Sequence, residues 1–298
     1  MYIEVIEEPD YLEFEENECF TISPMKITED LQVGGPRFWK NGATVTIECI
    51  KAINVPTAIN IFACKKDEIK GAVVKKVAGR LWVWENAPFR IKEAKILLIK
   101  VTTPPFQQNL PPKIGNYTAN EKNNIGKYLK QTLIITPVEE YAQGLDLSKD
   151  NHFKQSYTTS NIFDTIKQKT HYMDDYLYKK LQDALIKAGK NINTYDNYYR
   201  IFFVGGKDKL GCAAYGNGRN VVVYDYPNQP DATLDHELLH LFKLSHSFSN
   251  KECSSYYFAD YTYKARNTEN IMDYSYIDGN KCYDLWHWQW ERANSSVL

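Results

Sequence analysis

Four prolines between Thr102 and Asn116 divide the chain into two parts with different sequence patterns. Each proline fixes φ and lacks an amide hydrogen, so the cluster predicts an extended linker. The segments before it are short and rich in β-branched and aromatic residues, and several alternate apolar with polar positions: ATVTIECI, TAINIFACK, GRLWVWEN and AKILLIKVTT. We therefore predict an antiparallel β-sandwich of immunoglobulin-like size over residues 1–105, a linker over 106–116 and a second domain over 117–298.

The second part contains helix and strand signals in alternation. A long helix is predicted to end at Gly189, because Leu177, Leu181 and Leu185 recur at four-residue steps. The segments YYRIFFVGG and NVVVYDYP are typical of strands, and a further helix is predicted to begin near Asp231. This order favours an α/β or α+β domain.

Three of the six histidines lie in the segment HELLHLFKLSH. On a helix His236 and His240 are one turn apart on the same face, where they can present two imidazoles to one metal ion, and Glu237 flanks that face. His246 can be the third ligand if the helix ends after about Phe242 and the chain turns back. Residues scattered at this chain's frequencies would produce the four-residue pattern on the order of once in several thousand such chains.

The spacing predicts a catalytic zinc site. Three histidine ligands leave one position open for water, whose pKa zinc lowers toward about 7, and Glu237 would remove its proton as a general base. A zinc-dependent endopeptidase acting on a protein or peptide substrate is the function this favours. Two alternatives stay open: a zinc-containing protein that binds peptides without cleaving them, and a zinc hydrolase of peptidoglycan cross-bridges.

The same segment resembles the metzincin signature H-E-x-x-H-x-x-G-x-x-H, and Ser247 after the last histidine resembles the matrixin form. NIMDYSY resembles the methionine turn beneath the metzincin zinc, with Met272 as its methionine. Tyr274 stands where astacins and serralysins carry a tyrosine that can approach the metal. LGCAAYGNGRNVVVYDY resembles the edge strand and following strand of the metzincin sheet.

This resemblance covers residues 117–298 and implies an α+β zincin domain. It implies zinc bound by His236, His240 and His246, with Glu237 and Tyr274 catalytic. It also implies that residues 210–215 form an exposed edge strand, which pairs with an extended substrate.

Lys243 departs from the metzincin pattern, which has glycine at this position. Glycine suits a left-handed backbone there, and a residue with a side chain costs roughly 1–2 kcal/mol in that conformation. Metal ligation contributes far more, about 10–16 kcal/mol in structural zinc sites. We therefore expect a strained or slightly reshaped turn that keeps the metal.

Composition excludes several classes of partner. The chain has 36 basic and 37 acidic residues, a net charge of −1, so we expect no nucleic-acid-binding face. The sequence contains no run of 18 apolar residues, so no membrane span is predicted. The acidic N-terminus does not resemble a secretory signal peptide, so the protein is expected in the cytoplasm or exported by a signal-peptide-independent route, unless a leader has been removed.

An exported protease of this kind would be a bacterial effector toxin. The β domain would then be recognised by a secretion apparatus, and an immunity protein would be a further partner. The six cysteines form no Cys-x-x-Cys pair and are expected to be mostly buried thiols. Cys253 and Cys282 are the pair to test for a disulfide.

Overall fold

The computed structural model describes residues 9–28, 44–67, 69, 71–105, 111–157, 173–205, 214–224, 232–248, 261–275, 282 and 284–297. The chain forms two compact units, Met1–Ile91 and Lys92–Leu298. Within the described residues, no helix has both the length and the apolar character that crossing a membrane requires.

The described part of the first unit contains antiparallel strands and a 3-10 helix at Pro88–Arg90. The strands are β1 (Tyr11–Phe14), β2 (Phe20–Ser23), β3 (Lys26–Ile27), β4 (Thr46–Cys49), β5 (Thr57–Lys66) and β6 (Val73–Val83). One sheet has the order β3-β1-β5-β6, and a second sheet pairs β2 with β4. Both sheets contribute side chains to one core, which contains Leu12, Phe14, Phe20, Ile22, Ile27, Ile53, Ile59 and Ile61.

The second unit combines strands and helices. Its strands are β7 (Lys92–Glu93), β8 (Ile96–Thr103), β9 (Lys113–Ile114), β10 (Ile134–Ile135), β11 (Val138–Glu140), β12 (Leu145–Asp146), β13 (Tyr199–Val204), β14 (Ala214–Asn217) and β15 (Asn220–Tyr224). Its helices are α1 (Ala119–Asn124), α2 (Asn151–Tyr157), α3 (Met173–Lys187), α4 (Thr233–Leu241) and α5 (His287–Ser296), with a 3-10 helix at Leu129–Thr132. The main sheet has the order β11-β8-β13-β15-β14, and β9 and β12 also pair with β8.

The main sheet has a parallel centre and an antiparallel edge. The strands β11, β8, β13 and β15 pair in parallel, whereas β14 pairs with β15 in the antiparallel sense. Of the predicted edge strand at residues 210–215, the first four residues lie outside the described residues. Ala214 and Tyr215 begin β14, which is the last strand in the sheet order.

Helices cover both faces of this sheet. Along β8, Ile96 and Leu98 face the core that also contains side chains of α4 and α5. Leu97 and Ile99 face a second core, which contains side chains of α2 and α3. Because both faces are buried here, the first four residues of β8, Ile96 to Ile99, are all apolar and do not alternate.

The position of β8 in the main sheet corrects the predicted domain boundary. The segment AKILLIKVTT was assigned to the β-sandwich ending at residue 105, but it forms β8, in the centre of the second unit. Its ILLI run is typical of a parallel strand buried on both faces. The predicted linker over 106–116 is also corrected in part, because Lys113 and Ile114 form β9 and pair with β8. Residues 106–110 lie outside the described residues.

The long predicted helix is described only in its second half. Met173–Lys187 is helical and buries Leu177, Leu181 and Leu185, while Gly189 has the positive φ of 68° expected at a helix end. The residues of the predicted helix before Met173 lie outside the described residues. Cys253 also lies outside them, and Cys282 is buried.

Candidate metal centre

Helix α4 carries two of the three candidate ligands. Leu234 and Leu238 lie one turn apart on the helix and, together with Leu239, enter the core of the second unit. His236 and His240 lie one turn apart on the same helix. The apolar stripe thus fixes the helix against the sheet and thereby sets the direction of both imidazoles.

A tight turn ends α4 at the residue where the sequence departs from the metzincin pattern. Lys243 has a φ of 64°, the left-handed conformation. Its amide donates to His240 O at 3.0 Å, and the amide of Leu244 donates to Leu239 O at 3.0 Å. These are the two hydrogen bonds of a Schellman motif, and Leu239 and Leu244 are both buried in the same core, as that motif favours.

The turn brings His246 back to the other two histidines. His240 Nε2 lies 3.2 Å from His236 Nε2 and 3.2 Å from His246 Nε2. For comparison, tetrahedral zinc with bonds of about 2.0–2.1 Å separates its nitrogen ligands by about 3.3 Å. Within the described residues, these three histidines are the group of metal-ligating side chains that could hold an ion.

Two backbone carbonyls determine which ring nitrogens carry a proton. His236 Nδ1 lies 2.7 Å from Ile271 O, and His240 Nδ1 lies 2.8 Å from Leu244 O. A carbonyl oxygen only accepts, so each Nδ1 donates and each Nε2 of the neutral ring carries a lone pair. Two lone pairs 3.2 Å apart cannot bond to each other, so a cation between them fits the arrangement.

Burial keeps the rings neutral. It lowers the pKa of His236 well below its usual value, with the other two histidines adding to the effect. Burial also lowers the pKa of His240, and it lowers that of His246 to about 3. Neutral imidazole is the form that ligates a metal, so this environment favours metal binding over protonation.

Glu237 follows His236 on α4 and is half-buried. Burial raises the pKa of its carboxyl to about 8. A cation held by the histidines would oppose this shift, because an opposite charge favours the carboxylate. A carboxyl whose pKa lies close to neutrality suits proton transfer in either direction.

Tyr274 reaches the histidines from a loop. Its hydroxyl lies 2.8 Å from His246 Nε2, the atom that faces the other two rings. Met272 is fully buried in the core beneath, and its carbonyl accepts from the amide of Ser247 at 2.9 Å. The loop therefore contacts the chain both before and after the end of α4. Ile271 O accepts from His236 within the helix, and Met272 O accepts from Ser247, the residue after His246.

Two buried aspartates that the sequence did not single out hold this region together. Asp235 accepts from the amides of Gly126 at 2.7 Å and Tyr128 at 2.8 Å, which fastens α4 to a neighbouring segment. Asp273 accepts from Thr268 Oγ1 at 2.7 Å and from the amide of Tyr274 at 2.7 Å, among other donors of the loop. A charged residue inside the apolar stripe of α4 was the available signal for Asp235. No spacing rule signals Asp273.

Comparisons of the chain with protein-family models, with curated proteins and with solved structures found no match.

Proposed function

We propose that the protein is a zinc-dependent endopeptidase with His236, His240 and His246 as metal ligands. The observation that carries the proposal is the convergence of the three imidazoles, with Nε2 atoms at 3.2 Å and two Nδ1 atoms bound to backbone carbonyls. Zinc bound there would supply a Lewis acid that lowers the pKa of water and polarises a substrate carbonyl. Imidazole nitrogens are ligands that zinc accepts readily.

Glu237 is the general base in this proposal. It adjoins a ligand but is not needed as one, and a cation held by the histidines would favour its carboxylate form, which is the form that accepts a proton. Glu237 takes a proton from the attacking water and delivers it to the nitrogen of the leaving amine. The water oxygen forms the new bond to the carbonyl carbon, and the carbon–nitrogen bond of the peptide breaks.

Tyr274 is the proposed donor to the developing oxyanion. Its hydroxyl lies at hydrogen-bond distance from His246 Nε2. The lone pair of that nitrogen serves one partner at a time, so the hydroxyl would be released from it where His246 holds a metal. The hydroxyl then remains beside the site as a hydrogen-bond donor for substrate.

Strand β14 is the proposed docking edge for substrate. It is the last strand in the sheet order, it pairs with β15, and it lies against α4, the helix that carries two ligands. An extended peptide that adds to this edge by backbone hydrogen bonds would run beside the histidines. Backbone pairing of this kind accepts many side chains, which suits an endopeptidase.

The test measures zinc content and proteolysis separately. Wild type should hold one zinc per chain by elemental analysis and cleave casein, an unstructured protein. His240→Ala should lose the zinc. Glu237→Gln should keep the zinc but cleave at least about 100-fold more slowly, because general-base catalysis contributes about 10²–10⁴-fold. Glu291→Gln is the matched control, since Glu291 is exposed on α5.

Four outcomes would contradict the proposal in different ways. Wild type without zinc, and without affinity for added zinc, would remove the metal site. A Glu237→Gln variant as active as Glu291→Gln would remove the assigned base. Zinc with peptide capture but no cleavage would favour the binding protein, and cleavage of peptidoglycan but not casein would favour the cross-bridge hydrolase.

A further inference from the structure

The carbonyl that orients His236 is itself held by the C-terminal part of the chain. Ile271 accepts from His236 Nδ1 at 2.7 Å through its oxygen and donates to Asp284 O at 2.8 Å through its amide. The amide of Asp284 in turn donates to Glu269 O at 3.1 Å. A short parallel bridge therefore connects the loop under the metal centre to the residues that precede α5.

A buried pair of amide side chains strengthens this connection. Asn270 Nδ2 donates to Gln289 Oε1 at 2.7 Å, and Gln289 Nε2 donates to Asn270 Oδ1 at 3.3 Å. Both side chains are fully buried. Backbone amides fix the orientation of the two groups, because Met272 N donates to Asn270 Oδ1 at 2.9 Å and Trp286 N donates to Gln289 Oε1 at 2.8 Å.

The pair therefore connects helix α5 to the loop under the metal centre. Gln289 belongs to the first turn of α5, and through the amide of Trp286 it also caps that helix. Asn270 precedes Ile271, and its side chain binds the amide of Met272, so it fixes the backbone on both sides of the Ile271 carbonyl. A buried polar network in which each side-chain oxygen and nitrogen has a partner favours one arrangement, because each unpaired alternative leaves a polar group desolvated.

We propose that Asn270 and Gln289 are positioning residues for the metal centre, which fix the Ile271 carbonyl toward His236 Nδ1 and thereby make α5 part of the support of a ligand. This inference rests on the proposed metal binding by the three histidines. Groups that orient metal-ligating histidines contribute about 10–100-fold to metal affinity. A pair that only holds the fold together would instead affect the stability of the metal-free protein and leave metal affinity unchanged.

The experiment uses the full chain and two readouts of the metal itself. Zinc affinity is measured by competition with a chromophoric chelator, and cobalt(II) is added in place of zinc because its absorption reports ligand number and geometry. Gln289→Met keeps the length of the side chain and removes its two hydrogen bonds with Asn270, together with the one that it accepts from Trp286 N. Asn270→Ala removes the partner, and Gln155→Met is the control because Gln155 is exposed on α2.

We expect about 10–100-fold weaker zinc binding and an altered cobalt spectrum in Gln289→Met and Asn270→Ala, and neither change in Gln155→Met. A folded variant of the pair with wild-type affinity and spectrum would overturn the proposal, even if it melts at a lower temperature. Failure of both variants to fold in saturating zinc would also overturn it, since the pair would then be scaffold. Failure of wild type to bind either metal would instead remove the proposed function.

Discussion

The two units bury their long strands in different ways. In the first unit β6 is the last strand of its sheet, and its side chains are largely exposed, Val77 at 58% and Trp82 at 67%. In the second unit β8 lies inside the sheet, and Ile96, Leu97, Leu98 and Ile99 are at most 1% exposed. Both strands are long and rich in apolar residues. The position of a strand in its sheet, more than its apolar content, therefore decides how much of it is buried.

The units also differ in how many non-glycine residues have a positive φ and in how many polar side chains are buried. Among the described residues, the non-glycine residues with positive φ are Leu133, Lys243 and Arg266, all in the second unit. Most of the buried polar side chains also lie there, including Asp174, Asp235 and Asp273, whereas the first unit contributes Glu85. Strained or buried polar groups persist where the surrounding structure holds them in place, and they concentrate at functional sites.

Fragments of the chain that begin at different residues test this contrast with the largest expected effect. A fragment from Lys92 to Leu298 retains β8 and should fold and bind one zinc, whereas a fragment from Tyr117 to Leu298 lacks β8 and β9 and should not fold. Loss of β8 removes the strand between β11 and β13 and exposes both cores. Circular dichroism and zinc analysis of the two fragments check this.

The control is the fragment Met1–Ile91, which should bind no zinc. A folded, zinc-loaded fragment beginning at Tyr117 would contradict the assignment of β8 to the second unit. An unfolded fragment beginning at Lys92, with the full chain folded, would mean that the two units depend on each other for stability.

The sequence predicts the three candidate metal ligands better than it predicts the groups that orient them. His236, His240 and His246 are recognisable because an i, i+4 pair shares a helix face and a nearby third histidine can complete the set. The Ile271 carbonyl that binds His236 lies 35 residues away and is a backbone group, which no residue pattern marks. The domain boundary could have been placed correctly, since the unalternating ILLI run already favoured a strand buried on both faces.

Truncating one side chain in each strand tests the burial contrast directly. Leu98→Ala should lower the free energy of unfolding by about 2–5 kcal/mol, because a fully buried leucine leaves a cavity. Val77→Ala should change it by less than about 0.5 kcal/mol, because Val77 is exposed on β6. Urea unfolding of the full chain measures both, and equal effects would remove the contrast.

Buried charge in the second unit should make its stability depend on pH. Asp174 is fully buried in the first turn of α3, and burial raises the pKa of its carboxyl to about 6, with Asp175 adding to the shift. Since the folded state holds the proton more tightly than the unfolded chain, the stabilising contribution is complete below about pH 4 and is lost as pH rises through about 6.

Asp174→Asn should remove this dependence. The variant should be more stable than wild type by about 1–3 kcal/mol at pH 8, and the difference should shrink toward pH 4. Asp183→Asn on the same helix is the control, because Asp183 is partly exposed. Thermal melts at pH 4, 6 and 8 give the comparison. A difference that does not vary with pH would mean that folding does not raise the pKa of the Asp174 carboxyl.

The smallest expected effect concerns the left-handed residue that ends α4. Lys243 has a φ of 64°, and its side chain is exposed, so Lys243→Gly removes a strain of roughly 1–2 kcal/mol without removing a buried contact. Glycine also loosens the unfolded chain, which opposes the gain by roughly 0.5–1 kcal/mol. The net result should lie between no change and a stabilisation of about 1.5 kcal/mol. Each kcal/mol gained should raise the melting temperature by about 2–4 °C.

Lys243→Ala separates the backbone effect from the loss of the lysine side chain. Alanine keeps the Cβ that makes the left-handed conformation unfavourable, so this variant should show no gain. Zinc content should stay at the wild-type value in both, because the Schellman hydrogen bonds that place His246 involve only backbone atoms. If Lys243→Gly instead melts at a lower temperature, the turn is not strained at this residue. If it also loses zinc, the lysine side chain itself helps to place His246.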